Sequence, residues 1–375
     1  MVSLARQNLV HEWRRFAAAI LTLAFSGLLI LVQVGLLLGQ LDAFTLPLTR
    51  SKADLWITAP NIQSWDQSTV VPARVEGLFW SHPAVLDVHE MSLGYTDWRT
   101  GDGARQNVMI VGVNIRPGAL SGLDGITADT LAVLSNPETV LVDQADAAKL
   151  GATIGGTAEI AGRRVTVGGF VHGFRSNLMP LIFTSAESLR RINADWTSSG
   201  PPYFLLKLDP RFDVEQVRHD LETAGGVQTY GVATPEELTT KSALFWLEES
   251  GAGTSFGFSM LLALLVGVGV TGQTLRGAVI ASLKEYATLR ALGVTVGQLR
   301  AIVVEQSLWV ALVGNLLMFV IAALLSGLAW FLGIPLVLTW WLGGITTLFV
   351  TAIACLSGLV ALSVLYRSEP ADLLR

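Results

Sequence analysis

Three long stretches of the chain carry no Asp, Glu, Lys or Arg: residues 16–41, 250–275 and 306–366. A helix needs roughly 20 apolar residues to cross the ~30 Å hydrocarbon core of a bilayer. The first two stretches, of 26 residues each, fit one crossing apiece, and the third, of 61, holds two. Gly333-Ile334-Pro335 divides the third, because Gly and Pro punctuate helices. The pattern predicts four transmembrane helices at about 16–39, 253–276, 304–331 and 341–366, one before and three after a large polar segment. The first apolar run is much longer than the roughly 7–15 residues of a secretory signal's apolar stretch. No small-x-small cleavage site follows near Gln40–Thr49, so this run reads as an uncleaved anchor.

Between the first and second crossings the period changes. Short β-rich runs alternate with short amphipathic ones, which predicts a mixed α+β domain over about 40–252. Ala53–Ala59, Ala84–His89, Tyr203–Leu208 and Val227–Val232 read as strands, with helices over Val71–Trp80 and Asp213–Thr223. In the second helix Val214, Val217 and Leu221 share a face, and Asp213 is the candidate N-cap. Two strand–helix–strand units of this kind can close into one split βαβ sheet, so a first lobe is expected at about 50–91 and 200–250. Within the intervening segment of about 92–190, Val108–Val113, Thr139–Val142, Thr157–Ile160 and Arg164–Val171 read as strands, and Asp143–Leu150 as a short helix ending at Gly151. This predicts a β-rich lobe inserted in the first.

Composition agrees: 51% of the 375 residues are hydrophobic and 15% charged, against roughly 25% charged in an average soluble domain. Basic residues in short loops set orientation. Arg6, Arg14 and Arg15 precede the first crossing, Arg276, Lys284, Arg290 and Arg300 lie between the second and third, and Arg367 and Arg375 follow the fourth. Both termini (1–15 and 367–375) and the 277–303 loop are therefore expected in the cytoplasm, and the large domain and the 332–340 turn outside. The domain holds 16 basic and 25 acidic residues. Such a long segment translocates whatever its charge, so the short segments carry the assignment. Cys355, the one cysteine, lies in the fourth crossing and excludes an intrachain disulfide. The domain must therefore hold together by its core, for which it is large enough.

No catalytic constellation emerges. His11, His82, His89, His172 and His219 stand in no metal-ligand spacing, and His82 and His89 read as surface or packing residues. There is no G-x-S-x-G elbow. The glycine-rich Gly267–Gly277 lacks the G-K-[ST] of a phosphate loop and reads as helix packing. The chain is thus expected to bind no nucleotide, metal or other cofactor by itself. Its basic residues are too dispersed for nucleic acid. Gln33, Gln273, Gln306 and Asn315 are polar residues within the crossings, read as interhelical hydrogen-bonding groups in preference to a substrate pathway, and their lack of charge argues against a carboxylate proton relay.

Two cytoplasmic segments have helical character. In Leu4–Arg15, Ala5, Leu9 and Trp13 recur every four residues beside arginines, as in a helix lying on the inner leaflet or a simple extension of the first crossing. Ser282–Leu292 can form a short helix stopped by Gly293, and a second short helical run begins near Val296 and leads into the third crossing.

The stretch Glu285-Tyr-Ala-Thr-Leu-Arg-Ala-Leu-Gly293, followed by Gln298-Leu-Arg-Ala-Ile-Val-Val-Glu305, resembles a motif of ABC-transporter permeases of the MacB/FtsX type. Lys284 stands where the family has Arg, Ala287 takes a small-residue position and Tyr286 an aliphatic one. Pro370-Ala-Asp-Leu-Leu-Arg375 is similar to the family's closing segment, and Thr139–Val171 and Leu181–Leu189 are similar to its external-domain pattern. Ser3-Leu-Ala, Arg14-Arg15 and Ser51–Trp56 look most like the DevC-like members.

The resemblance implies a homodimeric permease of the inner membrane, bound to two copies of a separate ATPase. Nucleotide-driven closure would pass from a cytoplasmic coupling helix to the external domains (mechanotransmission). A periplasmic adaptor and an outer-membrane channel would serve export of lipidic or other substrates. Lys284, Glu285, Leu289, Arg290, Ala291, Leu292 and Gly293 would form the ATPase-coupling element, with Pro370, Leu374 and Arg375 near it. The alternatives are an FtsX-like signalling transducer, a lipoprotein-releasing permease and, from a different class, a membrane-anchored enzyme.

Overall fold

The computed structural model describes residues 13–101, 103–116, 119–120, 126–175, 179–194, 200–225, 228–249, 251–281 and 294–367. It divides into two compact units: Gln40–Gly253, and the residues up to Gly39 together with those from Thr254 on.

The first helix, α1, runs Trp13–Thr49, ten residues beyond the predicted end of the first crossing. Asp42 and Thr45 end the apolar run in composition, but the helix continues because Phe44 and Leu48 are buried in the core of the Gln40–Gly253 unit.

In that unit, β1 (Leu55–Thr58) is followed by a 3-10 turn at Trp65–Gln67 and another at Ala73–Val75, then α2 (Glu76–Ser81). The helix read over Val71–Trp80 is shorter than expected because Pro72, with ψ 125°, holds the chain extended before it. β2 (Val85–Arg99) is 15 residues long, more than twice the strand read from sequence. There follow β3 (Arg105–Val113), α3 (Ala128–Val133), β4 (Thr139–Asp143), α4 (Ala147–Leu150), β5 (Thr157–Ile160), β6 (Arg163–Val171), β7 (Leu181–Ser185) and α5 (Ala186–Ile192). The unit ends with β8 (Tyr203–Leu208), α6 (Val214–Gly225), β9 (Gly231–Ala233) and α7 (Pro235–Glu249). Asp213 caps α6 as its position predicts: its carboxylate accepts the Gln216 N–H at 3.1 Å. Of the strand expected at Val227–Val232, only Gly231 and Val232 lie in a strand among the described residues, and that strand runs Gly231–Ala233.

The strands form two arrays joined through β2. Its first half, Val85–Met91, pairs antiparallel with β8, which pairs with β1, which pairs with β9. The resulting order β2-β8-β1-β9 is that of a split βαβ sheet. The second half of β2, Ser92–Arg99, pairs with β3, and the chain of pairings β3-β7-β4-β6-β5 returns to β2 at Trp98↔Ile160. Six strands thus close into a ring. Side chains from all six meet in one cluster: Trp98, Val108 and Ile110, Ile182, Val140 and Val142, Val165 and Val167, Ala158 and Ile160. Only the inner faces of a closed ring can converge in this way, so this alternation set is the inside. The other set, including Met109, Val111, Leu141, Leu181 and Phe183, faces outward into a second core shared with Phe44, Trp56, Trp65 and Tyr203.

The remaining unit contains the part of α1 up to Gly39 with α8 (Ala252–Ala281), α9 (Val296–Leu332) and α10 (Trp340–Arg367). With α1 these are four helices long and apolar enough to cross a membrane. The helical run read near Val296 leads into the third crossing as expected, the two forming one helix of 37 residues. Phe16, Ala19 and Leu23 of α1 pack against Val310 and Ala311 of α9 and Val350, Ile353 and Ala354 of α10. Gly333, in the left-handed region at φ 64°, ends α9 and starts the predicted turn. The turn then lies on α1, where the Val337 N–H donates to the Gly35 carbonyl at 3.1 Å. At Gly39 the approach is so close that a Cβ would stand 1.9 Å from the Pro335 carbonyl oxygen. α8 packs least: Phe258, Leu262, Leu265 and Val266 are all exposed.

Candidate functional site

The predicted coupling residues Lys284, Glu285, Leu289, Arg290, Ala291, Leu292 and Gly293 lie outside the described residues, as do Pro370, Leu374 and Arg375. The described chain resumes at Val294. Directly after it Thr295 and Gln298 form a reciprocal capping box: the Gln298 N–H donates to Thr295 Oγ1 at 3.4 Å, and the Thr295 N–H to Gln298 Oε1 at 2.8 Å. Two otherwise orphaned N–H groups are satisfied, so the start of α9 is fixed immediately after the predicted coupling segment. Leu299 and Val303, on the first turns of α9, are buried.

The polar residues within the apolar helices divide. Asn315 Nδ2 donates to Thr351 Oγ1 at 3.2 Å, joining α9 to α10. Gln306 is buried, whereas Gln273 is exposed on α8. Gln33 Oε1 and Asn315 Oδ1 are buried without a hydrogen-bond partner.

In the Gln40–Gly253 unit, His89 is a structural pin. It is buried, its Nδ1 accepts the Leu120 N–H at 2.9 Å, and its Nε2 lies 3.0 Å from Asp87 Oδ2. The neutral tautomer protonated on Nε2 satisfies both contacts. His82 similarly accepts the Ala84 N–H on Nδ1 at 3.2 Å. Among the described residues no three His, Cys, Asp or Glu side chains gather as metal ligands.

Two features escape the sequence. The first is the buried pair Asp143 and Asp146 beside Arg175, whose Nε is 3.9 Å from Asp146 Oδ1. Burial first, and the Asp143 charge second, raise the Asp146 carboxyl to about 6 against the opposing pull of Arg175 and Lys149. The second is a cavity of about 290 Å³ lined by Ala43, Phe44, Trp65, Asp66, Tyr95, Met109, Met179, Leu181 and Trp246. Its walls come from α1, a 3-10 turn, β2, β3, β7 and α7, so no sequence window contains it. The only signal in the chain is the presence of aromatic residues at isolated positions.

The family model for the MacB-like periplasmic core domain matches residues 16–224, more than half of the chain, and that for the FtsX-like permease C-terminal region matches residues 257–370. The chain belongs to the MacB/FtsX-like permease family. The two matches follow one another along the permease, the first covering most of α1 and of the α/β domain and the second covering α9, α10 and most of α8. No curated protein matches the chain. Among solved structures, the permease is similar to the periplasmic region of MacB from Actinobacillus actinomycetemcomitans, at 12% identity and a TM-score of 0.37, over 51% of this chain and 94% of that one. It is also similar to the extracellular domain of the noncanonic ABC-type transporter YknZ from Gram-positive bacteria, at 14% identity and a TM-score of 0.35, over 48% of this chain and 100% of that one.

Proposed function

We propose that the chain is the permease subunit of an ATP-binding-cassette export complex, of the DevC-like kind. The observation that carries this reading is the succession of two family matches along one chain, the first taking in one apolar helix and the second nearly all of the other three. In this reading one crossing precedes the periplasmic domain and three follow it, and both termini and the loop between α8 and α9 lie in the cytoplasm. The domain comprises a split βαβ lobe (about 50–91 and 200–250) and a β-rich insertion (about 92–190). The chain works as a homodimer in the inner membrane, and the exposed apolar side of α8 is surface for lipid or a second copy to cover.

ATP hydrolysis belongs to a separate cytoplasmic subunit, present in two copies. Its closure acts on the element from Lys284 to Gly293, and the capping box at Thr295 makes the start of α9 a firm point for receiving that displacement. Mechanotransmission to the periplasmic domain then drives efflux or release of a lipidic or other substrate, with a periplasmic adaptor and an outer-membrane channel as partners.

The test is capture from mild detergent of the tagged chain, expressed with its native neighbours. Single cysteines near Gly293 in a Cys355→Ala background supply the cross-links. Recovery of a nucleotide-binding ATPase cross-linked at that loop is the expected result. A folded, expressed chain that captures no ATPase overturns the reading.

A further inference from the structure

The cavity beside Tyr95 has a construction that packing alone does not explain. One wall is a row across three strands on the outside of the ring. Tyr95 stands opposite Met109 on β3, and Met109 opposite Leu181 on β7. Residues directly opposite on neighbouring strands share a face. The facing wall is Phe44 from the end of α1, Trp246 from α7, and Trp65 with Asp66 from the 3-10 turn.

This wall is held in advance. Trp65 is 1% exposed; its Nε1 donates to the Phe44 carbonyl at 3.1 Å, and its backbone N–H donates to Ser242 Oγ at 2.9 Å. Its ring lies 5.7 Å from that of Phe44. Rigid aromatic walls of this kind lower the cost of ordering a site around a ligand.

Asp66 breaks the apolar lining. Its Oδ1 is shut off from solvent and has no hydrogen-bond partner. Among the described residues no Lys, Arg or His forms an ion pair with it. Tyr95 feels this charge: burial first and Asp66 second push its phenol up, so the hydroxyl stays a donor. A partly dehydrated carboxylate without a cation is costly. A cation among aromatic faces is favoured there, both by that charge and by the ring quadrupoles.

We propose that this cavity is a binding site for a single-tailed cationic amphiphile, an aliphatic amine whose ammonium group pairs with Asp66 while its tail lies between Tyr95–Met109–Leu181 and Phe44–Trp65–Trp246. The volume is at the small end of the roughly 300–1,000 Å³ of small-molecule sites, which suits one tail. The assignment stands independently of ATP-driven transport, since it concerns binding to the domain alone.

The test uses the full chain in phosphatidylcholine nanodiscs and decylamine carrying a diazirine on its tail, with cross-linked peptides mapped by mass spectrometry. Decanol and decyl sulfate with the same photoreactive tail are the comparison probes. The amine is expected to label peptides containing Phe44, Trp65 or Trp246, in competition with plain decylamine. Asp66→Asn should cut this labelling about tenfold, the loss of one charge-assisted contact, and leave decanol labelling unchanged. Met109→Trp, which fills the cavity, should abolish labelling there by any of the probes. Equal labelling by amine and alcohol, or labelling confined to α8–α10, overturns the proposal. So does amine labelling that persists at the cavity in Met109→Trp, a result that does not depend on how Asp66→Asn folds.

Discussion

The Asp143 carboxylate accepts the backbone N–H of Phe174 at 2.7 Å through Oδ2. Its other oxygen accepts the Ala145 N–H at 2.8 Å, so one buried side chain ties the end of β4 to the segment after β6. Asp143→Ala leaves both donors without a partner, at a cost of about 2–4 kcal/mol. Asp143→Asn retains one acceptor oxygen and should lose roughly half as much. Thermal unfolding checks the ranking, and amide exchange at Phe174 should accelerate in the Ala variant. An Asn variant as unstable as the Ala variant would contradict this account.

Asp146 makes stability depend on pH. Its folded value, about 6, lies above the unfolded 3.8, so between those values the folded chain binds more protons than the unfolded one. The favourable contribution is present below about pH 4 and is lost as pH rises through about 6. The magnitude is on the order of 1–3 kcal/mol. Asp146→Asn should therefore melt higher than the parent at pH 7.5, with the difference shrinking towards pH 4.5. Parallel melting curves across that range would rule out the assignment.

Gly39→Ala puts a methyl group 1.9 Å from the Pro335 carbonyl oxygen. The turn between α9 and α10 must then lift from α1, at about 1–3 kcal/mol. Gly344→Ala on α10 is the control, because nothing lies within 4 Å of a Cβ there. It should be neutral or slightly stabilising, as Ala is the better helix former. Tryptophan fluorescence during heating in detergent distinguishes the two.

Under the proposed coupling role, Leu289→Asp and Gly293→Glu should each return the partner ATPase to its basal rate while the chain still folds and inserts. The readout is ATPase activity of the reconstituted complex beside a melting curve. Full stimulation in both variants would remove that segment from the coupling pathway.

What the sequence disclosed, and what it hid, follows from the range of the interactions. The four apolar helices are written in runs free of charge, a property each run carries alone. Tyr203–Leu208, Thr157–Ile160 and the cap at Asp213 are likewise local patterns, and the structure has them at those residues. The extension of α1 past Gly39 depends on what Phe44 and Leu48 meet in the folded domain. β2 was legible only to His89, because its face changes partner at Met91–Ser92, from β8 to β3, and one alternation rule does not cover both. The segment proposed for coupling rests on motif order alone, a local pattern, whereas the cavity around Asp66 has no such pattern, since six elements must fold before its lining exists.

The passage of β2 from one array into the other bears on modularity. A cassette inserted in a domain is normally bounded by two linkers and can be excised at them. Here the upstream boundary is a continuous strand, hydrogen-bonded to β8 on one side of Met91 and to β3 on the other. Cutting it would remove a ladder from each array at once. The ring and the split sheet should consequently exchange their β2 amides as one cooperative foldon, and a shortened relative that had shed the ring would need a new edge for β8.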